Sequence, residues 1–226
     1  MAKVAVTLLN ADWSNLASDI KKIEALGVDF IHHDVMDGHF VPNISFGAYA
    51  QECIRKVTRK PIETHMMVYE PQRFAESYAK AGSTYYLIHF EACGNLASAI
   101  QDCQKQGLKV GIVLNPNTNV EAAEPYLRKF DIAILLLMGV YPGFGGQSFI
   151  PETVARLRQA RHMIDRLGVK TLLEVDGGVN AASYQECLDA GADILATGSY
   201  VTKNLAGKEP RDFVNAVHGY RRGKRT

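Results

Sequence analysis

The sequence has no apolar run long enough to span a membrane, and its opening "MAKVAVTLLN" lacks a signal-peptide layout. The expectation is a cytoplasmic protein with no membrane partner. Cysteine is scarce: Cys53, Cys93, Cys103 and Cys187 are the four, and no two make a CxxC pair. That pattern excludes paired-cysteine zinc and redox motifs and points to free, buried thiols in a reducing compartment. Neither charge sign prevails, with 25 Lys+Arg against 24 Asp+Glu, so nothing draws the chain to nucleic acid. The one basic cluster, "RRGKRT" (221–226), reads as a solvated C-terminal tail.

What remains is a 226-residue chain with an ordinary apolar share of 47%, enough for one large α/β domain. Short apolar runs alternate with amphipathic segments throughout. The expected strands are 4–10, 30–34, 61–67, 85–90, 109–115, 132–138, 171–176 and 193–198. The segment 14–26 has helical spacing, with Ser14 as expected N-cap and Gly27 as the residue after its end. Eight βα units in one chain predict a (β/α)8 barrel over residues 1–226. The alternative is an open doubly wound sheet, but "LLNADWS" after the first strand lacks that fold's glycine fingerprint.

A barrel gathers function at the carboxyl ends of its strands. Polar residues fall there: Thr7, Asn10, His32, Asp34, His65, His89, Asn115, Asp176 and Ser199. In "FIHHDVMDGHF", strand alternation sends His32 and Asp34 to one face and His33 to the other. The first pair faces the barrel interior, while His33 is expected to be structural. With His65 and Asp176 they make two imidazoles and two carboxylates. That set suits one divalent ion (zinc, iron(II), manganese or cobalt) better than calcium. The bland alternative is that Asp34 and Asp176 merely pair with lysines or cap loops.

Carboxylates on separate strands can also flank a substrate from opposite faces, Asp34 and Asp176 taking and returning a proton with inversion. A C–H beside a ketone is too weak an acid to ionise unaided, and a Lewis-acidic ion would stabilise the enediolate. No organic cofactor is required. "GFGG" (Gly143, Phe144, Gly145, Gly146), "DGG" (Gly177, Gly178) and "GS" (Gly198, Ser199) close the last three strands. Glycines there let backbone N–H groups approach a phosphate.

The motifs "HHDVMDGHFVPNISFG", "THMM", "IHFEA", "VLNPNT", "YPGFGGQSFIPE" and "EVDGGVN" resemble, in order, those of the ribulose-phosphate 3-epimerase family. The resemblance implies a (β/α)8 barrel that interconverts ribulose 5-phosphate and xylulose 5-phosphate. It also implies metal ligands at His32, Asp34, His65 and Asp176, acid–base carboxylates at Asp34 and Asp176, and substrate contacts at Thr7, His65 and the three glycine segments. Homo-oligomers occur in that family, so one is expected here. Three positions depart from the family pattern: Thr7 stands for serine, and "MGVYPGFGGQ" carries Gly139 and Tyr141 where "MSVNPGFGGQ" is usual. These changes leave open a six-carbon ketose phosphate such as allulose 6-phosphate. A barrel lyase or decarboxylase, or a non-catalytic sugar-phosphate binder, are the alternatives from other classes.

Overall fold

The computed structural model describes residues 1–221; most of the expected basic tail therefore lies outside the described residues. Eight strands alternate with helices. They are β1 (Lys3–Thr7), β2 (Phe30–Met36), β3 (Ile62–Met67), β4 (Tyr85–His89), β5 (Lys109–Leu114), β6 (Ile134–Met138), β7 (Leu172–Asp176) and β8 (Ile194–Thr197). The helices are α1 (Leu16–Ala25), α2 (Ala48–Val57), α3 (Ala75–Lys80), α4 (Leu96–Lys105) and α5 (Glu124–Lys129). They continue as α6 (Thr153–Leu167), α7 (Tyr184–Asp189), α8 (Ser199–Thr202) and α9 (Lys208–Gly219). Every strand pairs in parallel with the next, and β8 returns to β1, closing the barrel. Among the described residues, no helix is long and apolar enough to cross a membrane.

Two apolar clusters follow from strand alternation. Inside the barrel, Ala5, Phe30, Leu87, Val113, Ile134, Leu136 and Ile194 fill the lower and middle levels. Between barrel and helices, residues such as Val4, Val6, Ile31, Met66, Ile88, Ile112 and Leu135 meet Ile20, Ile23, Ile54, Ile100, Leu157 and Val214. Each fully buried Leu or Ile contributes about 1.5–3 kcal/mol. The four cysteines are free thiols, as their spacing predicts, but only Cys103 and Cys187 are buried, while Cys53 and Cys93 are partly exposed.

Two local expectations shift. The first strand stops at Thr7 rather than residue 10, because the chain turns there and Ala11 N–H donates to Leu8 O at 3.1 Å. Ser14 does not cap the first helix. Asn15 holds that position without a side-chain cap bond, and the Ser14 hydroxyl instead donates to Asp12 Oδ1 at 2.5 Å. The buried Asp19 carboxylate, in the first turn, binds back to Asp12 N–H at 3.1 Å and so anchors the helix start. Gly27 does end the helix, with φ at 91°, a conformation that costs glycine little.

Candidate active site and metal centre

Barrel register stacks the polar side chains in levels. Within β2 and β3, His32 lies beside Glu63, Asp34 beside His65 and Met36 beside Met67; across the barrel Met138 lies beside Asp176. His32, Asp34, His65 and Asp176 each present one ligand atom, and these atoms lie within 4.8 Å of one another. His32 Nε2 is 3.4 Å from Asp34 Oδ1, 3.9 Å from Asp176 Oδ2 and 3.3 Å from His65 Nδ1. His65 Nδ1 is 3.0 Å from Asp34 Oδ1 and 3.6 Å from Asp176 Oδ2. Asp34 Oδ2 accepts from the Thr7 hydroxyl. Four residues from β2, β3 and β7 thus converge as the sequence predicts.

The donor set fits a divalent cation. His32 Nδ1 is 3.2 Å from Glu63 Oε2, so a proton there leaves the Nε2 lone pair facing the centre. With His65 Nδ1 also unprotonated, two imidazole nitrogens and two carboxylate oxygens aim lone pairs at one another, an arrangement that a cation stabilises. The electrostatics agree. Burial disfavours a charged His32, yet Asp34, Glu63 and Asp176 outweigh it and raise its pKa well above the ordinary histidine value. Burial pushes Asp34 up, but the two histidines prevail and hold it well below the usual carboxylate range. Asp176 is pushed up to about 7 by burial, with Asp34 and Glu63 adding and His32 opposing. Two carboxyls held at such different protonation tendencies meet the electrostatic requirement for an acid–base pair. Burial takes His65 down to about 4, which favours its neutral, ligating form.

His33 takes the opposite face, as alternation requires. It is buried against Phe46, ring centroids 5.6 Å apart, and Trp13, at 6.3 Å.

Above the centre opens a cavity of about 650 Å³, within the usual size of small-molecule sites. Asp34 and Asp176 form part of its wall, with Thr7, Met36, Met67 and Met138. Gly143, Phe144, Gly145, Gly146, Gly177, Gly178, Gly198 and Ser199 form another part, so all three glycine segments meet in one place. Among the described residues, the N–H groups of Gly145, Gly146 and Gly178 donate to no other group, which leaves them for an anion. Gly178 must be glycine: φ is 71°, and a Cβ would sit 2.5 Å from Phe149 N. His65 does not border this cavity; it is wholly buried, with its Nδ1 3.0 Å from Asp34 Oδ1.

The departures at Gly139 and Tyr141 look different in three dimensions. A Cβ at Gly139 would meet Gly177 O at 2.4 Å, so the missing side chain lets β6 approach the loop after β7 and does not widen the cavity. Tyr141 is exposed, and its carbonyl accepts from Gln147 Nε2 at 2.7 Å, which braces the glycine-rich loop.

Sequence reasoning missed the groups beneath and beside the centre. Glu63 and Glu174 are buried inside the barrel, and burial together with Glu63 raises the Glu174 carboxyl well above the usual range. Their signal was present: each lies two residues before a predicted ligand, on the same strand face. His89, named only as a polar strand end, has its Nε2 2.9 Å from His65 Nε2.

These features place the chain among the (β/α)8-barrel enzymes. A family model described as the ribulose-phosphate 3 epimerase family matches residues 3–202. The ribulose-phosphate 3-epimerase of Bacillus subtilis (strain 168) is 46% identical, over 89% of this chain and 92% of the relative. That of Synechocystis sp. is 39% identical, over 98% and 94%. The chain therefore belongs to the ribulose-phosphate 3-epimerase family and is an isomerase of the epimerase class. Among solved structures, a mutant tryptophan synthase α-subunit from Pyrococcus furiosus superposes with TM-score 0.68 at 15% identity, covering 96% and 97% of the two chains. The 3-hexulose-6-phosphate synthase of Salmonella typhimurium gives 0.66 at 16% identity, covering 95% and 96%. At such identity both bear on the fold alone.

Proposed function

We propose that the protein inverts C3 of a ketose phosphate, interconverting D-ribulose 5-phosphate and D-xylulose 5-phosphate. The observation that carries this is one cavity joining a two-histidine, two-carboxylate cluster to a glycine wall with free N–H groups, in a chain of the epimerase family. His32, Asp34, His65 and Asp176 would hold one divalent ion, which when bound would supply Lewis acidity to stabilise developing negative charge on the substrate.

The residues of the chain do the rest. Main-chain N–H groups of the loops after β6, β7 and β8 bind the phosphate and fix the position of C3. Asp34, held by the Thr7 hydroxyl, removes the C3 proton from one face through Oδ2. Asp176 delivers a proton to the other face, and the planar enediolate between them inverts. In the reverse direction the two exchange roles. Met36, Met67 and Met138 border the reacting carbon with polarizable, apolar surface that limits water.

The test is turnover with ribulose 5-phosphate beside allulose 6-phosphate, after chelation and after a divalent ion is restored, with C3 stereochemistry read out. Metal-dependent inversion of the five-carbon substrate is expected. Product with fewer carbons, or preference for the six-carbon substrate, would replace this assignment.

A further inference from the structure

Three buried groups and the partly exposed Glu91 form a row leading away from the centre. Asp34 Oδ1 is 3.0 Å from His65 Nδ1, and His65 Nε2 is 2.9 Å from His89 Nε2. His89 Nδ1 is in turn 3.4 Å from Glu91 Oε2. The two rings are wholly buried, with planes 17° apart. At the far end, Glu91 Oε1 accepts from Asn115 N–H at 2.9 Å and from the Thr118 hydroxyl. Arg156 Nη2 ties down the same loop, donating to Asn115 O at 2.8 Å and Thr118 O at 2.9 Å. His89 Nδ1 and Glu91 Oε2 have no hydrogen-bond partner elsewhere; they lie 3.4 Å apart, and the Asn115 side chain also faces His89.

Counting protons shows what the row does. It has three gaps, and two neutral imidazoles carry two protons. The gap between the rings needs one, because unprotonated nitrogens 2.9 Å apart would oppose lone pairs. The other proton lies either between His65 and Asp34 or between His89 and Glu91. The first arrangement puts a hydrogen on His65 Nδ1 and blocks it as a ligand. The second runs His65 Nε2–H to His89 Nε2 and His89 Nδ1–H to Glu91, leaving His65 Nδ1 open beside Asp34. A cation bound beside Asp34 excludes the first; the second then needs an acceptor for each ring hydrogen, and His89 Nε2 at 2.9 Å and the Glu91 carboxylate at 3.4 Å stand in those places.

We propose that His89 and Glu91 are positioning residues that hold His65 in the Nε2–H tautomer, so that Nδ1 faces the cation. This rests on the four-residue centre binding a divalent ion. The role matches that of Glu63 on His32, but here it is passed through a second imidazole.

The test uses two near-isosteric variants, zinc as the probe, and two readouts that need no substrate. In Glu91→Gln the side-chain oxygen stays on Asn115 and Thr118, and the amide N–H donates to His89 Nδ1. The row then reverses and His65 Nδ1 gains the hydrogen. Zinc affinity, measured by competition with a chelator, should fall about 10- to 100-fold. His89→Gln offers an oxygen to His65 and an N–H to Glu91, so it should bind zinc within about threefold of the wild type. Nitrogen-15 NMR of the zinc-loaded wild type should show His65 with its hydrogen on Nε2. Wild-type affinity in Glu91→Gln, or zinc on His65 Nε2, overturns the inference while leaving the metal centre standing. A wild type that binds no zinc overturns the metal centre itself, and the inference with it.

Discussion

Replacing His33 should make the protein less sensitive to acid. The ring is wholly buried between Trp13 and Phe46, with both nitrogens unpartnered. Burial takes its pKa down to about 4 from 6.5, with Asp34 opposing and His32 assisting. Because the folded value is the lower one, the unfolded chain binds more protons between these limits. Stability is therefore complete above 6.5 and is lost as pH falls through the window toward 4. A separation of about 2.5 units at about 1.4 kcal/mol each amounts to between about 3 and 4 kcal/mol, of which about 2 kcal/mol is lost by pH 5. His33→Leu keeps an apolar side chain of similar volume and removes the titration. Urea unfolding of both proteins at pH 7 and pH 5, each with chelator, isolates the effect, since the other buried histidines cancel in the comparison. The variant should gain about 2 kcal/mol on the wild type between the two conditions. An equal gap at both pH values would refute the account of His33.

Other substitutions probe the site. Gly178→Ala, at φ 71° with Phe149 N in the way, should cost about 1–3 kcal/mol, read as a melting temperature lower by roughly 2–12 °C; an unchanged melt would contradict the packing described. Unphosphorylated ribulose should show kcat/KM lower by on the order of 10²-fold, because the glycine wall then no longer positions C3. Equal turnover would remove the phosphate cradle. Asp34→Asn and Asp176→Asn should each lower turnover by on the order of 10²–10⁴. Metal content must be measured beside the rate, and a metal-replete variant with wild-type rate would end the two-carboxylate mechanism.

The barrel was legible because its signal repeats: strand-length apolar runs ended in polar residues at equivalent places. The four converging residues were legible for the same reason, since period-two alternation separates His32 and Asp34 from His33. Glu63 and Glu174 obey the same alternation but sit deeper, where sequence reasoning expects only apolar filling. The pairing of His89 with His65 could not be read, because it depends on the lateral spacing of two neighbouring strands and on ring orientation. The Ser14 cap failed because Asp12 Oδ1 takes both the Ser14 hydroxyl and the Ser14 N–H, turning that side chain away from the helix start. Gly139 carries its meaning only once Gly177 O is seen against it.

Isotope incorporation tests the central claim most directly. With the metal-loaded enzyme in D2O, xylulose 5-phosphate formed from protiated ribulose 5-phosphate should carry deuterium at C3 from the first turnovers. In the proposed mechanism one carboxylate removes the original hydrogen, and the other delivers a solvent-derived deuteron from the opposite face. Inverted product that keeps its original hydrogen at C3 would contradict proton transfer between Asp34 and Asp176.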